Sequence, residues 1–174
     1  MFTRTASQFS YQFWRYYYRL IKAANEIIDA AGGDEAKLLE KMVLYFAQAK
    51  ALKSRILILT WLNLYARPYQ EDKTALAIPI YRTQLTSEAA KKSSVEEVYK
   101  LIVKDLTDAI PMLEGYERPS GQKDQINQAV AKGMLAYAYL MMGENGEAAR
   151  LTQEVIDSKE FTLMNRTEVY QFRI

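Results

Sequence analysis

The sequence predicts an all-α fold of stacked antiparallel helix pairs, with about five main helices and one long irregular insertion. Five segments repeat apolar residues at three- and four-residue spacing, which is the period of a helix with one buried face. Within the insertion, residues 77–81 are predicted to be extended, because a proline disfavours the helical region for the residue before it. A glycine at position 143 divides the last helical stretch in two, as a tight turn between paired helices requires.

Residues 129–156 show the helix pairing most clearly, since they predict a helix, a tight turn and a second helix. Gly143 follows Met142 at the turn, and Tyr139 supplies bulk to the first helix. The small side chains of Ala136 and Ala148 stand where two helices have to approach closely. This spacing is typical of a tetratricopeptide repeat (TPR) unit. Such a unit cannot bury its apolar face alone, so we expect it to stack on neighbours as in an α-solenoid.

The first two helices are predicted over residues 7–31 and 35–66. Gly32 and Gly33 end the first helix, and Asp34 is the predicted cap of the second. The second helix ends ahead of Pro68 and is long for a globular protein, so a kink or a break inside it is expected. From residue 67 to residue 90 the helical period disappears, and this is the predicted insertion.

The third helix is predicted to begin near Val95, because Ser93 and Ser94 precede Glu96 and Glu97 in two possible capping boxes. Pro111 is expected to loosen its last turn. Two groups of side chains divide this helix into a buried and an exposed face: Val95, Val98, Ile102, Leu106, Ala109, Ile110 and Leu113 inside, and Glu97, Lys100, Lys104 and Asp108 outside.

A polar turn is predicted over residues 114–125, followed by helices over residues 125–142 and 144–158. The helical pattern weakens beyond Lys159, and the fifth helix has no partner after it. We therefore interpret residues 1–174 as a single helical repeat domain that is a fragment of a longer protein.

The chain contains neither cysteine nor histidine. Disulfides, thiolate zinc sites and Ser-His-Asp catalysis are thereby excluded, and the prior for an enzyme falls. The pattern predicts no catalytic residue, no metal site and no cofactor, because neither a glycine-rich phosphate loop nor a metal-spaced acidic cluster occurs. A net charge of +2 without a basic run argues against a nucleic-acid partner.

The longest apolar run, residues 56–66, is shorter than the roughly 18–20 residues that span a bilayer, so a buried helix is predicted there. The N-terminal residues show no signal-peptide pattern. These two observations favour either a cytosolic protein or a piece excised from a longer one.

Seven aromatic residues occur within positions 9–18, and they point all round the predicted helix. One hypothesis is a stacking platform for sugars or bases. The favoured hypothesis is a helix buried on two sides, with Arg15 and Arg19 lying over the rings. If part of the cover is missing, the exposed patch should drive self-association, and polar replacements of Trp14 and Tyr18 should improve solubility.

The carboxylates of the third helix are the candidates for acid–base chemistry. Glu96 and Glu97 are adjacent and point apart, whereas Asp105 and Asp108 are predicted to share one exposed face. A solvated face is favoured over a catalytic pair, with Asp105 alternatively bridging a neighbouring helix. Asn25 interrupts an apolar face, so its amide is expected to hydrogen-bond a nearby loop or helix end.

The order of these segments resembles the SusD/RagB family of Bacteroidetes surface glycan-binding lipoproteins. The matching stretches are, in order, residues 18–28, residues 48–65, the Ile-Pro-Ile of residues 78–80, residues 95–113, residues 128–148 and residues 158–163. The resemblance covers nearly the whole chain. It implies the helical TPR-containing portion of a longer protein.

This resemblance implies non-catalytic binding of an oligosaccharide or nutrient at the extracellular face of the outer membrane. The glycan would pass to a SusC-like TonB-dependent transporter. The lipid anchor and signal peptide of the family are absent from these 174 residues. Sugar contacts in relatives come mainly from segments outside these helices, so the ligand-binding residues stay unknown.

Two other functions stay open at this stage. One is a cytosolic TPR adaptor that binds a partner peptide in a concave groove. The other is a glycoside hydrolase that depends on carboxylates alone.

Overall fold

The computed structural model describes residues 3–33, 40–82, 90–163 and 165–167, and the helices dominate them. The elements in chain order are α1 (Thr3–Ala30), α2 (Glu40–Ile56), a π-helical segment (Leu57–Leu62), α3 (Asn63–Tyr65), β1 (Leu76–Pro79), β2 (Lys92–Ser94), α4 (Val95–Met112), α5 (Gln128–Met142) and α6 (Asn145–Asp157). Each long helix packs on the long helix before it, in the order α1, α2, α4, α5, α6. The predicted all-α, TPR-like array is confirmed.

Helix α1 ends at the predicted glycine pair. Gly32 and Gly33 have φ values of 103° and 81°, a region that glycine adopts at little cost. The Gly33 N–H donates to the Ile28 carbonyl at 2.9 Å, which satisfies one of the orphan carbonyls of the last turn. The predicted cap Asp34 and the first predicted residues of the second helix lie outside the described residues.

The second helix has no break between Glu40 and Tyr65; instead a π-helical segment continues α2 without a loop. Its wider turn buries four of its six side chains: Leu57, Ile58, Trp61 and Leu62. The short α3 then ends at Ala66, which has the extended φ and ψ of −115° and 156°. The helix therefore stops ahead of Pro68, as the sequence predicts.

The insertion carries a small antiparallel pairing between β1 and β2. The predicted extended stretch is confirmed, and its pairing with residues 92–94 was not predicted. Ser94 closes β2 and caps α4, because its Oγ accepts from the Glu97 N–H at 3.2 Å. The Glu97 carboxylate in turn accepts from the Ser94 N–H at 2.7 Å. This is the second of the two predicted capping boxes.

Helices α5 and α6 form the predicted antiparallel pair. Gly143 has a φ of 86°, and the Glu144 N–H donates to the Tyr139 carbonyl at 2.9 Å across the turn. Ala136 and Ala148 are 5% and 7% exposed and line a shallow groove between the two helices. Small residues thus stand where the helices approach, as predicted.

Residues 113–127 form a second long connection, and it is anchored to the helices. The Gln48 side chain on α2 donates to the Ile126 carbonyl at 2.6 Å and accepts from the Ile126 N–H at 3.0 Å. Asn127 then caps α5 by accepting from the Val130 N–H at 3.1 Å. Because the cap is at Asn127, α5 begins at Gln128, three residues later than predicted.

We predict that Ala138→Leu destabilises the fold, because Ala138 on α5 is completely buried. Overpacking a close helix contact costs about 1–3 kcal/mol. Urea unfolding followed by circular dichroism measures the change. Ala149→Leu, on the exposed side of α6, is the matched control and should unfold with the wild type. Equal midpoints for all three proteins would mean that α5 is not closely packed at Ala138.

Candidate functional site

The aromatic run of α1 packs around one buried indole, that of Trp61 in the π-helical segment. The Trp61 side chain has no exposed surface. Five rings surround it at centroid distances of 4.3–6.1 Å: Phe13, Trp14, Tyr17, Tyr18 and Tyr65. Edge-to-face and tilted arrangements of this kind add packing energy beyond the buried area. The four of these rings that belong to α1 therefore pack against the core, which supports the favoured hypothesis for one side of the helix.

Two polar groups of α1 attach the helix to the end of β1. The Tyr18 hydroxyl donates to the Pro79 carbonyl at 3.0 Å, and the Asn25 amide donates to the Tyr81 carbonyl at 2.8 Å. Burial raises the pKa of the Tyr18 phenol well above its usual range, and the nearby Tyr81 adds to the rise. The predicted hydrogen bond from Asn25 to a loop is confirmed.

Two tyrosines of the run are not covered. Tyr11 and Tyr16 are 61% and 59% exposed, whereas Trp14 and Tyr18 are half-buried. The side chain of Phe9 lies outside the described residues. Arg15 and Arg19 make no cation–π contact within the described part of the chain, whose two such contacts are Lys50 over Phe46 and Arg118 over Phe161. The described rings therefore give no support to the prediction that the two arginines lie over the aromatic run.

The burial of Trp14 and Tyr18 alters the prediction about solubility, because only exposed aromatic side chains can drive self-association. Trp14 and Tyr18 support the core, so polar replacements there should unfold the chain instead of solubilising it. We predict that Tyr11→Ser combined with Tyr16→Ser reduces self-association and changes the melting temperature little, because both side chains are mostly exposed and Tyr16 loses only an edge-to-face contact with Tyr17. Static light scattering and a thermal melt test this, with Trp14→Ser as the contrasting variant that should lower the melting temperature. If the double substitution leaves self-association unchanged, the surface that drives association lies outside Tyr11 and Tyr16.

A buried ionic cluster lies between α2 and α4. The Lys53 ammonium is 2.9 Å from Asp105 Oδ2, and the Lys50 ammonium is 3.6 Å from Asp105 Oδ1 and 2.6 Å from Asp108 Oδ2. Lys104 reaches Asp108 from the outside at 2.8 Å. Lys50 and Asp105 have no exposed side-chain surface.

The prediction that Asp105 lies on an exposed face is wrong, and the alternative that it bridges a neighbouring helix is confirmed. A carboxylate inside the protein is tolerated here because two lysines of α2 face it. Burial alone would raise the pKa of Asp108, but hydrogen bonds from Lys104 and Lys50 outweigh it and lower that pKa. Both carboxylates are therefore engaged in holding helices together.

We predict that Asp105→Ala is strongly destabilising, because it leaves the Lys53 charge buried without its partner. Breaking a buried pair in this way costs about 3–5 kcal/mol. The partly exposed pair of Lys132 and Glu154 is the control, and Glu154→Ala should cost less than about 1 kcal/mol. Chemical denaturation of the two variants measures the difference. Similar costs for both would contradict a special role for the buried cluster.

The adjacent carboxylates at the start of α4 also have structural partners. Glu97 belongs to the capping box, and Glu96 forms ion pairs of 3.3 Å with both Lys73 and Lys100. Hydrogen bonds from Lys73 and Lys100 lower the pKa of the Glu96 carboxyl. Within the described ranges no group of three or more acidic side chains is placed to hold a metal ion.

A cavity of about 540 Å³ opens between the α4–α5 connection and the chain just after α6. Its lining includes Tyr116, Arg118, Asn127, Glu160 and Phe161. The sequence indicated only a polar turn here, because the two halves of the lining are about forty residues apart and only tertiary structure joins them. The described helices include none that is both long and apolar enough to cross a membrane.

No protein-family model and no curated protein matches the chain. Solved structures are similar to it. A SusD-like carbohydrate-binding protein from Bacteroides vulgatus ATCC 8482 gives a TM-score of 0.77 and 26% identity over 89% of this chain and 32% of that chain. A SusD superfamily protein from Bacteroides thetaiotaomicron VPI-5482 gives 0.76 and 25% over 90% of this chain and 34% of that one.

A laminarin-binding SusD-like protein is similar in fold, with a TM-score of 0.66 and 23% identity over 82% of this chain and 29% of its own length. The resemblance to SusD-like proteins predicted from the sequence is thus confirmed, and it concerns a helical portion. The chain spans about one third of the length of the solved structures that it matches.

Proposed function

Taking the similarity to SusD-like carbohydrate-binding proteins as the premise, we propose that this chain is the helical repeat portion of a longer protein that binds a glycan without cleaving it. The longer protein would lie at the extracellular face of the outer membrane. It would deliver the glycan to a SusC-like TonB-dependent transporter. The observation that carries the proposal is the likeness over 89–90% of the chain to solved SusD-like structures at 25–26% identity.

The contacts of the α4 carboxylates support binding over catalysis. The four carboxylates that the sequence offers there for acid–base chemistry are held in structural contacts: Glu96 and Glu97 at the start of α4, and Asp105 and Asp108 against α2. A hydrolase would need two carboxyl groups that face one sugar from a cleft. Because these carboxylates hold the helices together, their contacts also support a role for the helices as a rigid framework that positions glycan-contacting segments.

The complete reading frame that contains this chain provides the first test. We expect it to encode a signal peptide with a lipid-modified cysteine, next to a gene for a TonB-dependent transporter. A reading frame with neither feature would favour the cytosolic peptide-binding adaptor instead.

The full-length protein provides the second test. We predict that it binds an oligosaccharide in calorimetry and returns that oligosaccharide with unchanged chain length after long incubation. Size analysis of the recovered sugar separates binding from hydrolysis. Shortened products would contradict the proposal and support a carboxylate-dependent hydrolase.

A further inference from the structure

The cavity beside the α4–α5 connection has the volume of a small-molecule site. Its volume of about 540 Å³ lies within the range of roughly 300–1,000 Å³ that such sites occupy. One wall is the turn that runs from Gly115 to Lys123, and the opposite wall is formed by Glu160 and Phe161 after α6. The start of α5 closes the cavity between them with Asn127 and Gln128.

Both walls of the cavity are held in place. The amide of the buried Asn127 donates to the Glu160 carboxylate at 2.6 Å, while its oxygen caps α5. Gln128 donates to the Ile110 carbonyl at 3.2 Å and so joins the start of α5 to the end of α4. Within the turn the Gln122 N–H donates to the Pro119 carbonyl at 3.1 Å. The double hydrogen bond between Gln48 and Ile126 fixes the chain between the turn and α5. A site whose shape exists before the ligand arrives loses less entropy on binding.

An aromatic ring and paired polar groups face this space. Phe161 keeps 46% of its surface exposed. It does not belong to the aromatic cluster around Trp61. The Arg118 guanidinium lies 5.5 Å from the centre of the Phe161 ring. Tyr116 adds a second ring to the lining. A ring held at a cavity wall with polar groups around it offers one apolar face and several hydrogen-bonding groups at once.

The charges of the lining balance. Arg118 and Lys123 are cationic, and Glu117 and Glu160 are anionic. A strongly charged ligand would meet repulsion from one of these pairs. Hydroxyl groups suit both pairs, because each hydroxyl donates to a carboxylate and accepts from a guanidinium or an ammonium.

We propose that this cavity binds a neutral saccharide unit, with a sugar ring against Phe161 and its hydroxyls between Arg118 and Glu160. The choice of a saccharide rests on the proposed function, whereas the place of contact comes from the cavity. This would give the helical portion a sugar contact of its own.

The test uses the 174-residue chain and three neutral probes: α-1,4-gluco-oligosaccharides, β-1,3-gluco-oligosaccharides and β-1,4-xylo-oligosaccharides. An oligogalacturonate of similar length is the acidic comparison. Calorimetry measures affinity, and amide chemical shifts locate the contact. We expect one neutral probe to bind and to shift the amides of Arg118, Glu160 and Phe161.

Substitutions at the cavity wall then assign the contact. Phe161→Ala should weaken binding about tenfold or more, since loss of a stacking ring removes about 1.4 kcal/mol at that ratio. Phe161→Trp should retain binding because it keeps a flat ring. Leu163→Ala is the matched control, because Leu163 is 99% exposed two residues further on and does not line the cavity. Equal melting temperatures for all variants show that each is folded.

Three results would overturn the inference. They are tighter binding of oligogalacturonate than of any neutral probe, neutral binding that Phe161→Ala leaves unchanged, and no binding of any probe. In each case the proposed function can still hold, because its own test is glycan binding by the full-length protein. If the full-length protein also binds no glycan, both proposals fail together.

Discussion

The pairing of Lys50 and Lys53 on α2 with Asp105 on α4 constrains how the two halves of the helix array meet. Three charges have been removed from water, and each loses hydration worth several kcal/mol that only close partners offset. The cluster therefore tolerates little sliding of α2 along α4. Asp108 extends it to the surface, where it binds Lys50 and Lys104 together. Apolar packing alone would favour the same contact without fixing one register as strictly.

Helices α1 and α4 position the insertion. The π-helical turn places Trp61 under the rings of α1, while Tyr18 and Asn25 of α1 bind the carbonyls of Pro79 and Tyr81. An extended segment has few contacts of its own, so these two hydrogen bonds and the ring contacts fix the end of β1 against the helices. The insertion is thereby held at both ends, since β2 runs directly into the capped start of α4.

Local signals in the sequence predicted the helices and their ends. The serine at the start of α4 and the glycine between α5 and α6 act through their own neighbours, so Ser94 and Gly143 could be recognised without knowledge of the fold. Tertiary contacts could not be recognised in that way. Asp105 stands three residues after Ile102 and four before Ala109, so its spacing already belongs to the buried face, and its charge led to the exposed assignment. Only the packing of α2 shows that lysines compensate that charge. The Gln48 contact to Ile126 joins residues that are distant in the chain, so no periodicity indicates the anchored connection or the cavity beside it.

Which side chains can contact a ligand depends on which of them already have partners inside the protein. In the long helices the ring cluster around Trp61 and the ionic cluster around Asp105 consist of side chains that contact one another, so these groups are not available to a ligand. In the connections around the cavity, the ring of Phe161 and the charge of Arg118 remain accessible on an anchored backbone. Binding groups on loops that a rigid framework positions are a common arrangement in proteins. The stacked helices therefore matter to binding mainly through the precision with which they hold the segments between them.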